Sequence, residues 1–180
     1  MRLALLASLT AAALLTPLAA CGGDDGDSTI TDPGTWLETY ITKLCTKAHD
    51  CKADYVPSGA ETFEDAWGAD VTACKATFIT AAQVRTSVTA GKATFNADAG
   101  KQCLAMLPYD AQTCPEFWST SDPAVCGTVF MGTVAASGAC ANGLECQSGL
   151  FCVQGVCTAP AADAPRSGVG RLNTAVFEGR

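Results

Sequence analysis

The chain has one histidine, His49, and no C-x-x-C, G-x-S-x-G or N-x-S/T sequence. A thioredoxin-like dithiol needs the first of those spacings. A nucleophile-elbow hydrolase needs the second, and serine chemistry here would have His49 as its sole imidazole base. Without the third, no asparagine is a glycan acceptor. Gly168-Val169-Gly170 has neither a strand before it nor a helix after it, so it is not a phosphate loop. Basic residues are scarce as well: 11 Lys and Arg face 18 Asp and Glu. An acidic surface is repelled by phosphate backbones and anionic headgroups. That argues against a nucleic-acid partner and against electrostatic adhesion to a membrane.

What is present begins at the N-terminus. Arg2 precedes an apolar run from Leu3 to Ala20, broken by Pro17 just before small residues, the pattern of a secretory signal. A membrane-spanning helix is the alternative, since eighteen residues would just cross a bilayer. Against it, the run is Ala-rich, and it leads into Gly22-Gly23-Asp24-Asp25-Gly26-Asp27 rather than a basic flank. Leu18-Ala19-Ala20-Cys21 resembles the lipobox of bacterial lipoproteins. The resemblance implies cleavage before Cys21, a diacylglycerol on its thiol and an acylated amine, which together anchor a protein stably. Cleavage leaves 160 of the 180 residues and removes Arg2, so ten basic residues face 18 acidic ones, a net charge of −8. That length holds one ordinary domain, or one domain with a small appendage.

Cysteine is abundant, with 11 in the chain. Setting Cys21 aside leaves Cys45, Cys51, Cys74, Cys103, Cys114, Cys126, Cys140, Cys146, Cys152 and Cys157. An even number in an exported chain reads as a disulfide framework.

Residues 21–34 form an acidic spacer with too few apolar residues for a core. The spacing of Trp36, Leu37, Tyr40, Ile41, Leu44, Cys45 and Ala48 predicts a helix over 36–48, with Thr35 as N-cap and Glu38 completing a capping box. Phe63, Trp67, Val71, Cys74 and Phe78 predict a second helix over 62–78, introduced by a capping box at Ser58–Glu61 and weakened by Gly68. Cys74 then faces the first helix and pairs with Cys45 or Cys51. Glu61, Glu64 and Asp65 complement the helix dipole rather than act as acid and base. Residues 80–95 hold no single period, and Ala90-Gly91-Lys92 marks a turn. Asn96 starts a third helix that Pro108 stops, with Gly100, Cys103, Leu104 and Leu107 on one side. Asp122-Pro123 opens a short helical turn, with Pro123 at its first position. Thr128-Val129-Phe130 reads as a short strand.

From Gly138 the texture changes. Cys140, Cys146, Cys152 and Cys157 are separated by five, five and four residues, with Gly143 and Gly149 preceding the second and third. So few apolar residues require covalent staples. This segment resembles small disulfide modules of the dickkopf N-terminal and EB type. The resemblance implies alternating bridges, Cys140 with Cys152 and Cys146 with Cys157. With the lipobox, the whole chain is similar to predicted cysteine-rich bacterial lipoproteins, a grouping that carries no catalytic residues.

The expected fold is mainly α: a disulfide-linked bundle of about three helices over 35–130, a Cys-rich irregular or β knob over 138–157, and a disordered tail over 158–180. Trp36, Tyr40 and Trp67 fit the helical stripes. Phe117 and Trp118, beside Pro115, are the candidate exposed contact. His49 lies between Cys45 and Cys51, which opens a zinc site or a Cys–His pair, but that spacing matches no usual ligand pattern. No metal, cofactor or catalytic residue is assigned. The expected role is that of a non-enzymatic lipoprotein, exported and held in the bacterial envelope through Cys21. As an interaction or structural module it would meet a protein or another envelope component. The alternatives are a metal-binding protein or enzyme using His49, and a small inhibitor or ligand carrier. Gly22 supplies no Asp after the anchor, which points to the outer membrane or cell surface rather than the inner membrane.

Overall fold

The computed structural model describes residues 30–57 and 61–160. The expected leader, the expected lipidation at Cys21, residues 58–60 of the expected Ser58–Glu61 capping box and residues 161–180 of the expected tail lie outside those residues, whereas Thr158, expected in the tail, ends a strand. No helix among the described residues is long and apolar enough to cross a membrane. The fold is mainly helical, with two small strand pairs and five disulfides.

Helix α1, Pro33–Asp50, runs through the core. Its stripe of Trp36, Leu37, Tyr40, Leu44, Cys45 and Ala48 is fully buried. The large members each contribute about 1.5–3 kcal/mol by leaving water. The helix starts three residues before the expected Trp36, with Asp32 rather than Thr35 as its N-cap. Asp32 accepts from the Thr35 amide at 2.7 Å, and Pro33 takes the first position, where its missing N–H costs nothing. Pro33 and Gly34 therefore belong to α1 and not to the spacer. Thr35 serves the cap as a donor.

The expected second helix is two: α2, Phe63–Trp67, and α3, Val71–Ala76. Gly68 separates them at φ +77° and ψ 169°, a backbone region open essentially to glycine alone. Thr62 with Asp65 forms the capping box of α2, and Asp70 caps α3. Phe63, Trp67, Cys74 and Phe78 still reach the core, and Cys74 bridges Cys45.

Residues 80–95 hold α4, Ala81–Thr89, and strand β1, Ala93–Phe95. Thr80 and Gln83 make a reciprocal box at the head of α4, and Gly91 turns at φ +70° between the two elements. Helix α5, Ala97–Met106, has Asn96 as its cap and ends before Pro108, as its sequence predicts. The indole of Trp36 donates to the Gly100 carbonyl at 2.8 Å. A Cβ on Gly100 would come within 2.9 Å of that ring, so only glycine permits this approach.

Helix α6, Cys114–Ser119, is tied to the end of α1 by Cys51–Cys114. A 3₁₀ turn over 124–128 follows, with Pro123 as its cap rather than its first residue, and Cys126 bridges Cys103. Strand β2 is Phe130–Gly132, two residues later than expected, antiparallel to β1 with Phe95 opposite Phe130.

In the knob, β3, Phe151–Val153, and β4, Val156–Thr158, form a hairpin. Its two-residue turn, Gln154-Gly155, has φ +50° and +80°, the requirement of a type I′ turn. Cys140 is bridged to Cys152 and Cys146 to Cys157. Residues 137–140 line the outer edge of β4 through backbone bonds to Gly155 and Cys157.

Candidate functional site

The two residues expected as an exposed contact are core residues. Phe117 is fully buried, packed edge-on against Tyr109 at 5.6 Å. Trp118 is half-buried. Its indole donates to the Cys51 carbonyl at 2.9 Å, and its ring meets Tyr55 and Trp67 at 5.2 and 5.6 Å. The Cys51–Cys114 bridge draws α6 onto the end of α1, which turns both rings inward. A polar neighbourhood in sequence gave no sign of that long-range tie.

His49 packs its ring edge-on against Phe63 at 5.0 Å, and its Nε2 is buried without a hydrogen bond. The thiols beside it are spent, Cys45 on Cys74 and Cys51 on Cys114. A disulfide offers neither the thiolate that binds zinc nor the one that attacks a substrate. The same holds for Cys140, Cys146 and Cys157. Their sulfurs lie within 4.8 Å of one another because two bridges adjoin.

A shallow groove of about 310 Å³ follows the polar face of α1, lined by Thr42, Lys43, Thr46, Lys47 and Asp50 with Tyr109 opposite. Lys47 already donates to the Gln112 carbonyl at 2.7 Å. Beneath it, Tyr40 and Tyr109 both donate to the carboxylate of Asp122, the latter at 2.7 Å. Burial, with the charge of Asp122 beside it, pushes the Tyr40 hydroxyl well above the usual range, so it stays a donor. This trio fastens the loop before the 124–128 turn to α1.

The seam between the helical body and the knob is the most built polar site. Glu145, 2% exposed, sits at its centre. Its Oε1 accepts from the Ser87 hydroxyl at 2.8 Å. Its Oε2 accepts from the Ala141 amide at 2.8 Å and the Lys92 ammonium at 3.2 Å. Asn142 donates to Ser87 and caps the turn at 143–145. Burial pushes the Glu145 carboxyl up. The Ala141 amide, Ser87 and Lys92 together outweigh it and hold the group below its ordinary value. Val134 completes the seam, pairing in parallel with Cys146. Leu144 is buried with the helical core. The knob is therefore docked on the body and not an independent bead.

No family model, curated protein or solved structure matches this chain. Sequence reasoning missed Glu145, although one signal marks it: over residues 123–160 it is the sole charged side chain. A single carboxylate in a neutral stretch has to find donors or be left at a surface.

Proposed function

We propose that the chain is an exported, lipid-anchored lipoprotein acting as a non-enzymatic interaction or envelope-structural module. One observation carries the reading. Every cysteine from Cys45 to Cys157 has a disulfide partner, so the eleventh, Cys21 after Leu18-Ala19-Ala20, is the odd thiol of the chain. Full pairing belongs to an oxidising compartment, and a solitary cysteine behind a lipobox-like sequence belongs to lipid. The crossed bridges of the knob support its EB-like reading. The sealed thiols beside His49 weigh against a metal or nucleophile site there. Gly22 after the anchor favours the outer membrane or cell surface over the inner membrane.

The test is metabolic labelling with an alkyne-bearing fatty acid in a bacterial host, comparing the native chain with Cys21→Ser. The reading expects label and membrane fractionation for the first and neither for the second. Equal labelling of both chains would overturn it.

A further inference from the structure

The charge of this acidic protein is unevenly spread. Residues 123–160 carry one charged side chain, Glu145, and it is buried in the seam. Residues 123–160 therefore put no charged side chain of their own on the surface; the half-exposed Lys92 of the body borders them at Ala139. The segment also presents apolar groups to solvent: Met131 at 59%, Val153 at 50% and Val156 at 37% exposure. The two valines flank the I′ turn of the hairpin, whose tip adds only Gln154 and Gly155.

Two residues of this segment, Glu145 and Phe130, lie near the end where the chain enters the fold. Asp32, just ahead of α1, pairs with Arg85 of α4 at 2.7 Å. Two residues further along α4, Ser87 holds Glu145 of the knob. Trp36, in the first turn of α1, packs edge-on against Phe130, the first residue of β2, at 5.5 Å. Nine residues, 21–29, separate Cys21 from the first described residue, Ile30. Nine residues can span at most about 30 Å. A lipid on Cys21 keeps this end within that distance of a bilayer.

We propose that the knob docks on the bilayer that holds the Cys21 lipid, with the Val153–Val156 hairpin as its contact; this rests on the lipoprotein reading above. The acidic body is repelled by anionic headgroups within a screening length of about 8 Å, whereas a segment with no surface charge of its own is not. Exposed valines leave water there without stripping the hydration of any charge. The tether supplies an effective concentration of order mM, so a contact too weak to bind from solution is occupied once the lipid is in place. Docking would fix the orientation of the module at the bilayer.

The experiment uses acylated protein in phosphatidylcholine vesicles that contain a diazirine-bearing phosphatidylcholine. Flotation is measured first, then photolabelled peptides are mapped. The expected result is label within residues 147–158, falling about tenfold in Val153→Glu/Val156→Glu while flotation is unchanged. Both valines are surface residues, and an unchanged count of five bridges shows that the variant has folded. Flotation with label confined to the Cys21 peptide or to the helical body overturns the docking and leaves the anchor standing. Dimerisation of the unacylated Cys21→Ser protein through the same hairpin also overturns it, by assigning the surface to a second copy. Failure to float removes the anchor reading, and the docking with it.

Discussion

Ser87 and Glu145, 58 residues apart, meet at 2.8 Å across the seam between α4 and the knob. Neither is exposed, and the carboxylate also holds the Ala141 amide and Lys92. A buried charge with every oxygen engaged fixes one docking geometry, because any other arrangement leaves it unpaired. The Glu145→Gln variant replaces one acceptor with a donor facing Lys92 and an amide. It should lose about 2–3 kcal/mol. Denaturant unfolding with the bridges intact measures that loss, and amide exchange at Val134 and Gln147 should accelerate with it.

The same carboxylate sets an acid limit on the seam. Its folded value lies below the ordinary carboxylate range, so the unfolded chain binds the proton more readily. The stabilisation is complete above the unfolded value of about 4.3 and is lost as pH falls through the folded one. Exchange at Val134 and Gln147 should be pH-independent, after correction for intrinsic rates, from neutrality to about 5. It should rise below that range in the native protein and be flat in Glu145→Gln.

Gly68 and Gly132, like Gly100, hold positions that resist a side chain. Gly68→Ala forces a side chain into the φ +77°, ψ 169° break between α2 and α3, and should cost about 1–3 kcal/mol. Gly132→Ala places a Cβ on the carbonyl of Cys146, so β2 and the knob must part. The first variant should lower the melting temperature and leave the Val134 amide protected at neutral pH. The second should expose it. Melting curves with site-resolved exchange separate the two.

Much of the helical frame was legible in the sequence, and the places where it was not have physical causes. The stripe from Trp36 to Ala48 and the Asn96-to-Pro108 bracket gave α1 and α5, because a long period and a cap are local signals. The split at Gly68 was hidden because Phe63, Trp67, Cys74 and Phe78 keep a helical spacing across a bend. Helix α4 is short and Thr-rich, so its apolar period is weak. Its Thr80-x-x-Gln83 box was readable and was the better cue. Phe117, Trp118 and Glu145 went unread because their burial depends on Cys51–Cys114 and on docking of the knob, contacts made far along the chain.

The bridges should not contribute equally. Cys51–Cys114 spans 63 residues and closes the largest loop, against 11 and 12 in the knob. Chain entropy then assigns it about 4 kcal/mol, and each knob bridge about 3 kcal/mol. Cys51→Ser/Cys114→Ser also frees α6, so Phe117 and Trp118 lose their fixed partners. Thermal unfolding should show a larger drop for this pair than for Cys140→Ser/Cys152→Ser. Tryptophan emission should shift red in the first only.

On the proposed function, the eleven cysteine sulfurs divide into one for lipid and ten for each other. Intact mass of the protein isolated from membranes, before and after reduction, reads both at once. The predicted result is a chain that starts at Cys21, heavier by its acyl groups, and gains ten hydrogens on reduction of five bridges. A chain still starting at Met1, or thiols among the ten that alkylate without reduction, would contradict it.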